Sequence, residues 1–191
     1  MRSLVGGVFL DSQLPYTGRE LRPHFVRQQF GLKGDAMAIW RGPCNVLGLS
    51  LVDLEDRDSG DFIKAADMLH VMIERFHPDL PEAVLSQRLL TAITADLVRQ
   101  LAPTHNVVRI GDDVMVDDGK LTVSIATVSV VSSLIHLGVN IDAAGAPVKT
   151  SSLTLLGIEI DTFANELVRR FTAELDDIAD AIAKVAPAHG S

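Results

Sequence analysis

The sequence predicts an α+β domain built on a mixed, mainly antiparallel sheet with helices packed beside it. Two observations support this prediction. Apolar periodicity places strands first, then two helices, then strands, then a last helix, an order typical of α+β domains. The segment from 105 to 142 shows the alternation typical of antiparallel strands. Small and polar residues occupy every second position from Lys120, and apolar residues occupy the positions between them from Leu121, so the two sets face opposite sides.

The first half of the chain is predicted to hold three strands and a helix. Residues 3–10 are typical of a buried first strand, and residues 36–42 and 44–56 predict two more strands joined by a turn at Gly42-Pro43. Residues 61–76 show helical spacing. The apolar stripe of this predicted helix consists of Ile63, Ala66, Leu69, Met72, Ile73 and Phe76.

The second half is predicted to hold a helix, the strand run, a loop and a final helix. The first helix begins near Pro81, a favourable first-turn residue, and ends at about Leu101. Residues 143–147, AAGAP, predict a loop. A last helix is predicted over 162–185 with Asp161 as its N-cap.

Length and composition predict one domain over residues 1–191 with a sizeable core. The formal net charge of −8 argues against general nucleic-acid binding, which needs clustered Lys and Arg. Cys44 is the only cysteine, so no internal disulfide forms, and we expect it to be a buried thiol. The N-terminal apolar run is too short for a signal peptide, and no run is long enough to cross a bilayer. We therefore expect a soluble, cytoplasmic protein with no membrane partner.

Two neighbouring strands of the 105–142 run predict the floor of a cleft. Ser124 belongs to the face of small and polar residues that starts at Lys120. His136, Gly138 and Asn140 share one face of the next strand. In the functional interpretation Lys120 stands at the mouth of the cleft and holds a carboxylate or an acyl phosphate. In the alternative it follows an Asp-Asp-Gly turn and points into water. His136 either lines the cleft or is a histidine with its hydrogen bonds satisfied inside the fold.

A basic segment forms the second candidate, an anion site. Arginine forks suit carboxylates and phosphates, and glycines allow close backbone approach. The alternative is a solvated surface loop with internal ion pairs. The predicted ligand-binding residues of this segment are Arg19, Arg22, His24, Lys33 and Asp35.

A third candidate set lies within the predicted 61–76 helix. Spacings of three and four place Asp67, His70 and Glu74 on one helical face. A carboxylate beside a histidine can act as a base, or the two can form a hydrogen-bonded pair at the border of the apolar stripe. No companion His or Cys pair stands at ligand spacing, so we predict no metal site here.

From residue 87 onward the chain resembles the catalytic domains of biotin- and lipoate-protein ligases. The helix QRLLTAITADLVRQL, the hairpin VRIGDDVMVDDGKL, the strand IHLGVNID and the segment KTSSLTLLGIEIDTFANELVRRF follow in the order of those domains. The resemblance implies that Lys120 is an active-site lysine, that Asp113 closes a K-W-P-N-D type motif, and that Asn140 ends a G-x-G-I-N type motif. Residues 110–112 and Val123 depart from the motifs, and the Arg/Gly nucleotide loop of the ligases has no good match in the first 60 residues.

The whole chain is similar to the uncharacterised, largely archaeal family known as domain of unknown function 366. The segments YTGRELRPHFVRQQFGLKGDAMAIWRGPCNV and DMLH carry this resemblance. The family's fold is grouped with biotin synthetases and class II aminoacyl-tRNA synthetases, which implies a single ligase-like domain over residues 1–191.

Two functions follow from these observations. The first is enzymatic: the domain activates or transfers a small carboxylic acid, with Lys120 and Asp113 as catalytic residues and ATP with Mg²⁺ as a candidate cofactor. The second is a non-catalytic module that binds a small molecule or nucleotide, which the missing Arg/Gly loop favours. Ligases of this kind pair through sheet edges in some cases, so a homodimer is an expectation. The substrate and any acceptor protein are not identified by the sequence.

Overall fold

The protein was examined as a computed structural model, in which residues 4–186 are described. The described chain contains two sheets and four α-helices. The elements, in chain order, are β1 (Val5–Gln13), α1 (Phe25–Phe30), β2 (Ala36–Leu47), a 3₁₀ turn (Gly48–Ser50), α2 (Leu54–Ser59), β3 (Phe62–Arg75), α3 (Leu80–Leu101), β4 (Val107–Ile110), β5 (Asp113–Val116), β6 (Gly119–Lys120), β7 (Thr122–Val128), β8 (Ser133–Asp142) and α4 (Ile160–Lys184).

The main sheet has five strands in the order β1-β2-β3-β8-β7. Only the β1–β2 pair is parallel, and the other three pairs are antiparallel. A second, three-stranded antiparallel sheet follows the order β4-β5-β6. The predicted fold class, α+β with a mixed and mainly antiparallel sheet, is therefore confirmed.

The two faces of the main sheet are covered differently. One face, called here the helix face, packs an apolar core against α3 and α4, with residues such as Leu137 of β8, Leu90 of α3 and Phe171 of α4 fully buried. The other, called here the pocket face, carries a smaller apolar cluster that includes Trp40 and Met72. Burial of the helix face supplies most of the hydrophobic driving force, because the larger area of apolar surface leaves water there.

The predicted 61–76 helix is wrong, because this segment forms strand β3. Its apolar residues divide between the two faces: Leu69 belongs to the helix-face core, and Met72 belongs to the pocket-face cluster. An irregularity between Asp67 and Met68 shifts the pairing by one residue. As a result Ala65, Met68 and Met72 share a face at spacings of three and four, which imitates a helix in the sequence.

The predicted turn at Gly42-Pro43 is also wrong, because β2 runs through it. The register with β3 shifts between Gly42 and Cys44, which marks a bulge. A bulge accommodates Pro43, since a proline has no N–H for the ladder. The predicted second strand over 44–56 ends at Leu47, and residues 54–59 form α2 instead.

The remaining elements agree more closely with the sequence. Helix α3 begins at Leu80 with Pro81 in its first turn, and the Asp79 side chain caps it by accepting a hydrogen bond from the Glu82 N–H at 2.8 Å. The strand run and the 143–147 loop are confirmed. The first strand is partly exposed rather than buried, because β1 is an edge strand.

The end helix α4 starts two residues earlier than predicted, at Ile160. Glu159, rather than Asp161, occupies the N-cap position, and its side chain accepts no capping hydrogen bond. Asp161 lies in the first turn, where a negative charge is favourable beside the helix N-terminus. Within residues 4–186, no helix has both the length and the apolar character needed to cross a membrane.

Candidate functional site

A pocket of about 470 Å³ opens on the pocket face of the main sheet. Its walls come from β2, β3, β7 and β8, from the segment around α2, from the β4–β5 turn and from the loop before Thr150. The chemistry-bearing side chains in the lining are Tyr16, Cys44, Asp53, Asp56, Asp61, Lys64, Asp112, Asp113, Lys120, Ser124, His136 and Asn140.

Lys120 and Asp113 form an ion pair in the pocket wall. The Lys120 Nζ lies 2.8 Å from an Asp113 carboxylate oxygen, and both side chains are about one-third exposed. The backbone of Lys120 is held on both sides, since its N–H donates to the Lys149 carbonyl and its carbonyl accepts from the Ser151 N–H, each at 3.0 Å. The Asn140 side-chain amide also donates to that carbonyl at 3.1 Å. The position of the lysine is therefore fixed by the backbone as well as by the ion pair.

Asp112 anchors the β4–β5 turn to helix α3. Arg88 donates to one of its carboxylate oxygens at 2.8 Å, and Gln87 donates to the other at 3.1 Å. Gln87 also donates to the Ser124 hydroxyl at 2.7 Å. These hydrogen bonds set the direction of the turn, so that the next residue, Asp113, reaches Lys120.

Two histidines and a tyrosine form a buried group, of which Tyr16 and His136 line the pocket and His70 lies behind them. His70 Nδ1 lies 3.2 Å from His136 Nε2, and His70 Nε2 lies 3.1 Å from the Gly42 carbonyl oxygen. The Tyr16 ring stacks on His136 with centroids 3.7 Å apart. Burial lowers the pKa of His70 to about 4 and lowers the pKa of His136 well below its ordinary value. Both imidazoles are therefore neutral at physiological pH.

The segment around α2 gives the pocket an acidic lining. Asp53, Asp56 and Asp61 come from α2 and the residues beside it. Burial raises the pKa of Asp56, and the charges of Asp53 and Asp61 add to this rise while Lys120 opposes it. The lining holds five aspartates against two lysines, so its net charge is negative.

The pocket also contains a thiol that is a poor nucleophile. Cys44 is buried, as predicted, and lies in the pocket lining. Burial raises the pKa of the Cys44 thiol to about 12, and the charge of Glu20 adds to this rise. At neutral pH the reactive thiolate is therefore scarce.

Comparison with known proteins identifies the family. The profile described as Domain of unknown function (DUF366) matches residues 6–186. The chain belongs to this family. An uncharacterized protein of Methanocaldococcus jannaschii is 33% identical over 189 residues, which cover 94% of this chain and 84% of that protein. A solved protein of unknown function from Pyrococcus horikoshii has a TM-score of 0.92 and 34% identity. The match covers 98% of this chain and 100% of that protein's chain.

More distant solved structures show which ligases share the fold of this DUF366 member. A bipartite lipoate protein ligase from Thermoplasma acidophilum has a TM-score of 0.59 at 16% identity, covering 91% of this chain and 84% of its own. The biotin protein ligase of Aquifex aeolicus, solved with biotin and ATP, has a TM-score of 0.56 at 10% identity. The match covers 92% of this chain and 71% of the ligase chain. The lipoate- and biotin-ligase-like fold, which is class II synthetase-like, is thus confirmed.

Five of the predicted site residues of this DUF366 chain line one pocket. They are Asp113, Lys120, Ser124, His136 and Asn140. The predicted grouping of faces is corrected at one point. Opposite residues in an antiparallel pair share a face. The partners of Gly138 and His136 are Val123 and Ile125, so these two residues share a face with the apolar residues of β7 and not with the small, polar ones. Ser124 contacts Gln87 of α3 and reaches the pocket from its edge.

The basic segment lies outside the pocket lining. Arg19 and Lys33 are exposed, and Arg22 donates to the Gln28 side chain at 2.7 Å while lying over the Phe25 ring. His24 and Asp35 belong to the same segment and have structural contacts instead. The described structure therefore does not bring this segment and Lys120 to one cavity.

The contacts of His24 and Asp35 tie the segment to the end of β3. The His24 N–H donates to the buried carboxylate of Glu74 at 2.6 Å, and the His24 ring stacks on Phe76. Asp35 accepts from the Phe76 N–H at 2.9 Å. These hydrogen bonds fix the chain around α1 against the sheet.

The predicted helix that carries Asp67, His70 and Glu74 is wrong, because these residues lie on strand β3. His70 and Glu74, four residues apart, still share one face of the strand. Asp67 pairs with Arg41, whose Nε lies 2.6 Å from it, and its other oxygen, Oδ1, has no partner among the described residues. His70 contacts His136 and Gly42 behind the pocket. Glu74 accepts from the His24 N–H and the Ser132 hydroxyl, so the three side chains have separate partners and do not form one group.

Several pocket residues were not predicted from the sequence. Tyr16 is the only tyrosine of the chain, which is a weak signal that it has a particular position. The aspartates 53, 56 and 61 resemble ordinary solvated charges in the sequence. Their meeting with Lys120 depends on how the segment around α2 folds across the sheet.

Proposed function

We propose that the pocket binds a small molecule with a carboxyl group and an apolar body, and that the chain activates or transfers its acyl group. One observation carries this proposal: a lysine ammonium, paired at 2.8 Å with Asp113, lies in the wall of the pocket. The shared fold with lipoate and biotin protein ligases supports it.

The dimensions and lining of the pocket suit such a ligand. A cavity of about 470 Å³ lies within the range of small-molecule sites. The apolar side chains that would contact the body of the ligand are Val46, Leu51, Ile63, Met68 and Val123. Asp113 and Asn140 contact Lys120, and this polar group would orient the ligand.

Lys120 would hold the carboxyl or acyl oxygen. An ammonium has three donor hydrogens, and Asp113 engages it from one side. The remaining hydrogens can be donated to a ligand oxygen. A positive charge at the place where negative charge develops lowers the barrier of acyl transfer. Asp113 would keep the ammonium charged and correctly placed.

ATP with Mg²⁺ is the co-substrate that the ligase-like fold suggests. The lining residues fit its cation better than its phosphates, since carboxylates are ligands that Mg²⁺ prefers. Lys120 and Lys64 are the cationic lining side chains of the described chain, beside five aspartates. We therefore derive no step through the nucleotide, and the need for ATP is tested directly.

Calorimetry with lipoic acid and with biotin, each measured with and without MgATP, tests the proposal. We expect binding of at least one acid, weakened about tenfold or more by Lys120→Ala, because a charge-assisted hydrogen bond is lost. Lys184→Ala is the matched control, since this exposed lysine lies at the end of α4. Undiminished binding to the Lys120→Ala protein would argue strongly against the assigned role.

A non-catalytic binding module is the second candidate function. The observation in its favour is that no arginine of the described chain lines the pocket, although arginine forks are the usual phosphate partners. Incubation of the protein with the bound acid, MgATP and an amine acceptor separates the two candidates. Formation of pyrophosphate or an acyl product would exclude the binding module.

A further inference from the structure

The two buried histidines are oriented by a fixed acceptor at one end of their hydrogen-bonded chain. A carbonyl oxygen can only accept, so His70 must carry its proton on Nε2, which lies 3.1 Å from the Gly42 oxygen. A neutral imidazole has one N–H, so Nδ1 of His70 is an acceptor. His136 Nε2, 3.2 Å away, must therefore donate to it.

The other ring nitrogen of His136, Nδ1, is then an unprotonated acceptor. The protein offers this atom no hydrogen-bond partner among the described residues. It is not fully buried either, because Asp67 Oδ1 is the one fully buried side-chain nitrogen or oxygen atom of the described residues without a partner. His136 is a lining residue of the pocket, and the pocket is therefore the side from which a ligand would approach Nδ1.

We infer that His136 is a specificity-determining residue whose Nδ1 accepts a hydrogen bond from an N–H or O–H group of the ligand. This inference rests on the proposed function and deepens it, since it takes the pocket as the ligand site and adds a requirement at His136. The ligand class is thus a small acid whose body carries a hydrogen-bond donor. A bound ligand without that donor would cover Nδ1 and leave it unpaired, which is costly.

The surroundings keep the acceptor neutral and in place. The titratable groups that face His136 are Tyr16, stacked on its ring, together with His70 on β3 and Cys44 of β2 beside Tyr16. Burial raises the pKa of Tyr16 and of Cys44 and lowers that of His70, so all three are uncharged at neutral pH. The Asn140 side chain donates its amide hydrogens to the Lys120 and Ser151 carbonyls, so its nitrogen is already engaged within the protein.

The first test needs no ligand. Nitrogen-15 NMR of histidine-labelled protein distinguishes a protonated from an unprotonated ring nitrogen. We expect a proton on Nε2 and none on Nδ1 of His136, and a loss of this preference in His70→Phe. A wild-type His136 with its proton on Nδ1 would overturn the inference.

The second test uses a matched pair of neutral cyclic ureas, imidazolidin-2-one and its N,N′-dimethyl derivative. The first has N–H donors and the second has none, and neither carries a carboxylate. We expect the N–H urea to bind roughly tenfold more tightly, measured by titration of the His136 ring signals. Equal affinities, or binding of neither urea at the highest soluble concentration, would count as disproof.

Two variants extend the second test. His136→Phe keeps a ring against Tyr16 but removes the acceptor, so the preference for the N–H urea should be lost. His136→Asn places an amide oxygen close to the position of Nδ1, so much of the preference should return. Lys184→Ala, at the exposed end of α4, should leave urea binding unchanged. The ureas have no carboxyl group, so their preference does not test the carboxylate role of Lys120. Failure of the carboxylate proposal and failure of this inference are therefore separate results.

Discussion

The helix face and the pocket face are formed by the same strands but are stabilised in different ways. On the helix face, β8 contributes Leu137 and Val139, which are fully buried among apolar side chains. On the pocket face, the intervening positions of β8 hold His136 and Asn140, which are buried with hydrogen bonds to other elements. One face is held by area removed from water, and the other depends on the pairing of polar groups.

This difference teaches where the molecule can tolerate change. An apolar core loses stability in proportion to the volume removed, whatever the pH. A buried polar group stabilises only while every partner is present and in the right protonation state. Changes on the helix face should thus alter stability alone, whereas changes on the pocket face should also alter pH dependence and ligand binding.

The largest effect is expected on the helix face. Leu137→Ala should lower the free energy of unfolding by about 2–5 kcal/mol, because a fully buried leucine leaves a cavity. Urea denaturation measures the loss. Leu85→Ala, at a position 71% exposed on α3, is the control and should change stability by less than about 0.5 kcal/mol. Similar losses at both positions would contradict the assignment of the main core.

The second effect is the pH dependence of the pocket face. Unfolded His70 takes up a proton below its ordinary pKa of 6.5, whereas folded His70 stays neutral down to about 4. The unfolded state thus binds more protons in this window, and stability falls as pH is lowered from 6.5 towards 4, by about 3 kcal/mol at most for this group. His70→Phe should flatten the slope by about one proton.

The slope is measured by urea denaturation at several pH values. His77→Ala is the control, because the His77 side chain is mostly exposed. An unchanged slope in His70→Phe would mean that His70 is not buried in its neutral form.

A third, smaller effect is expected at the end of β3. Glu74→Ala should cost about 1–3 kcal/mol, because the His24 N–H and the Ser132 hydroxyl both donate to its carboxylate and would lose a buried partner. Hydrogen exchange at the His24 amide should become faster in this variant. Glu174→Ala, at an exposed position of α4, should change neither quantity.

The smallest effect is expected where the two faces meet, at Ser124. Ser124→Ala should cost about 1 kcal/mol, since the hydroxyl accepts from Gln87 and donates to Asp112. The Lys120 side chain should also become less ordered, because Asp112 orients the turn that carries Asp113. Stability by urea and the Lys120 ammonium signal by NMR are the measurements, with Ser12→Ala as the control.

Much of the fold was predictable from the sequence wherever one element has one buried face. Helix α3 and the strands of the 105–142 run follow the expected periods of 3.6 and 2, so they were assigned correctly. Strand β3 was not, because both of its faces are buried and an irregularity at Asp67 changes its parity. Periodicity alone cannot separate such a strand from a buried helix.

The candidate site was predictable only in part. Lys120, Asp113 and Asn140 are close together through strands that are neighbours along the chain, so short-range patterns and a family resemblance were enough to group them. Tyr16 and the aspartates of the 53–61 segment reach the pocket from distant parts of the sequence. The basic residues around α1, which seemed equally good candidates, lie elsewhere.

The sequence by itself determined the α+β class, the single buried thiol, two of the long helices and a lysine at the head of a strand. The tertiary structure alone decided that this lysine shares a pocket with a buried histidine and five aspartates. The physical reason is that local periodicity encodes which side of an element is buried. The charge and protonation state of a site depend on groups that long-range packing brings together.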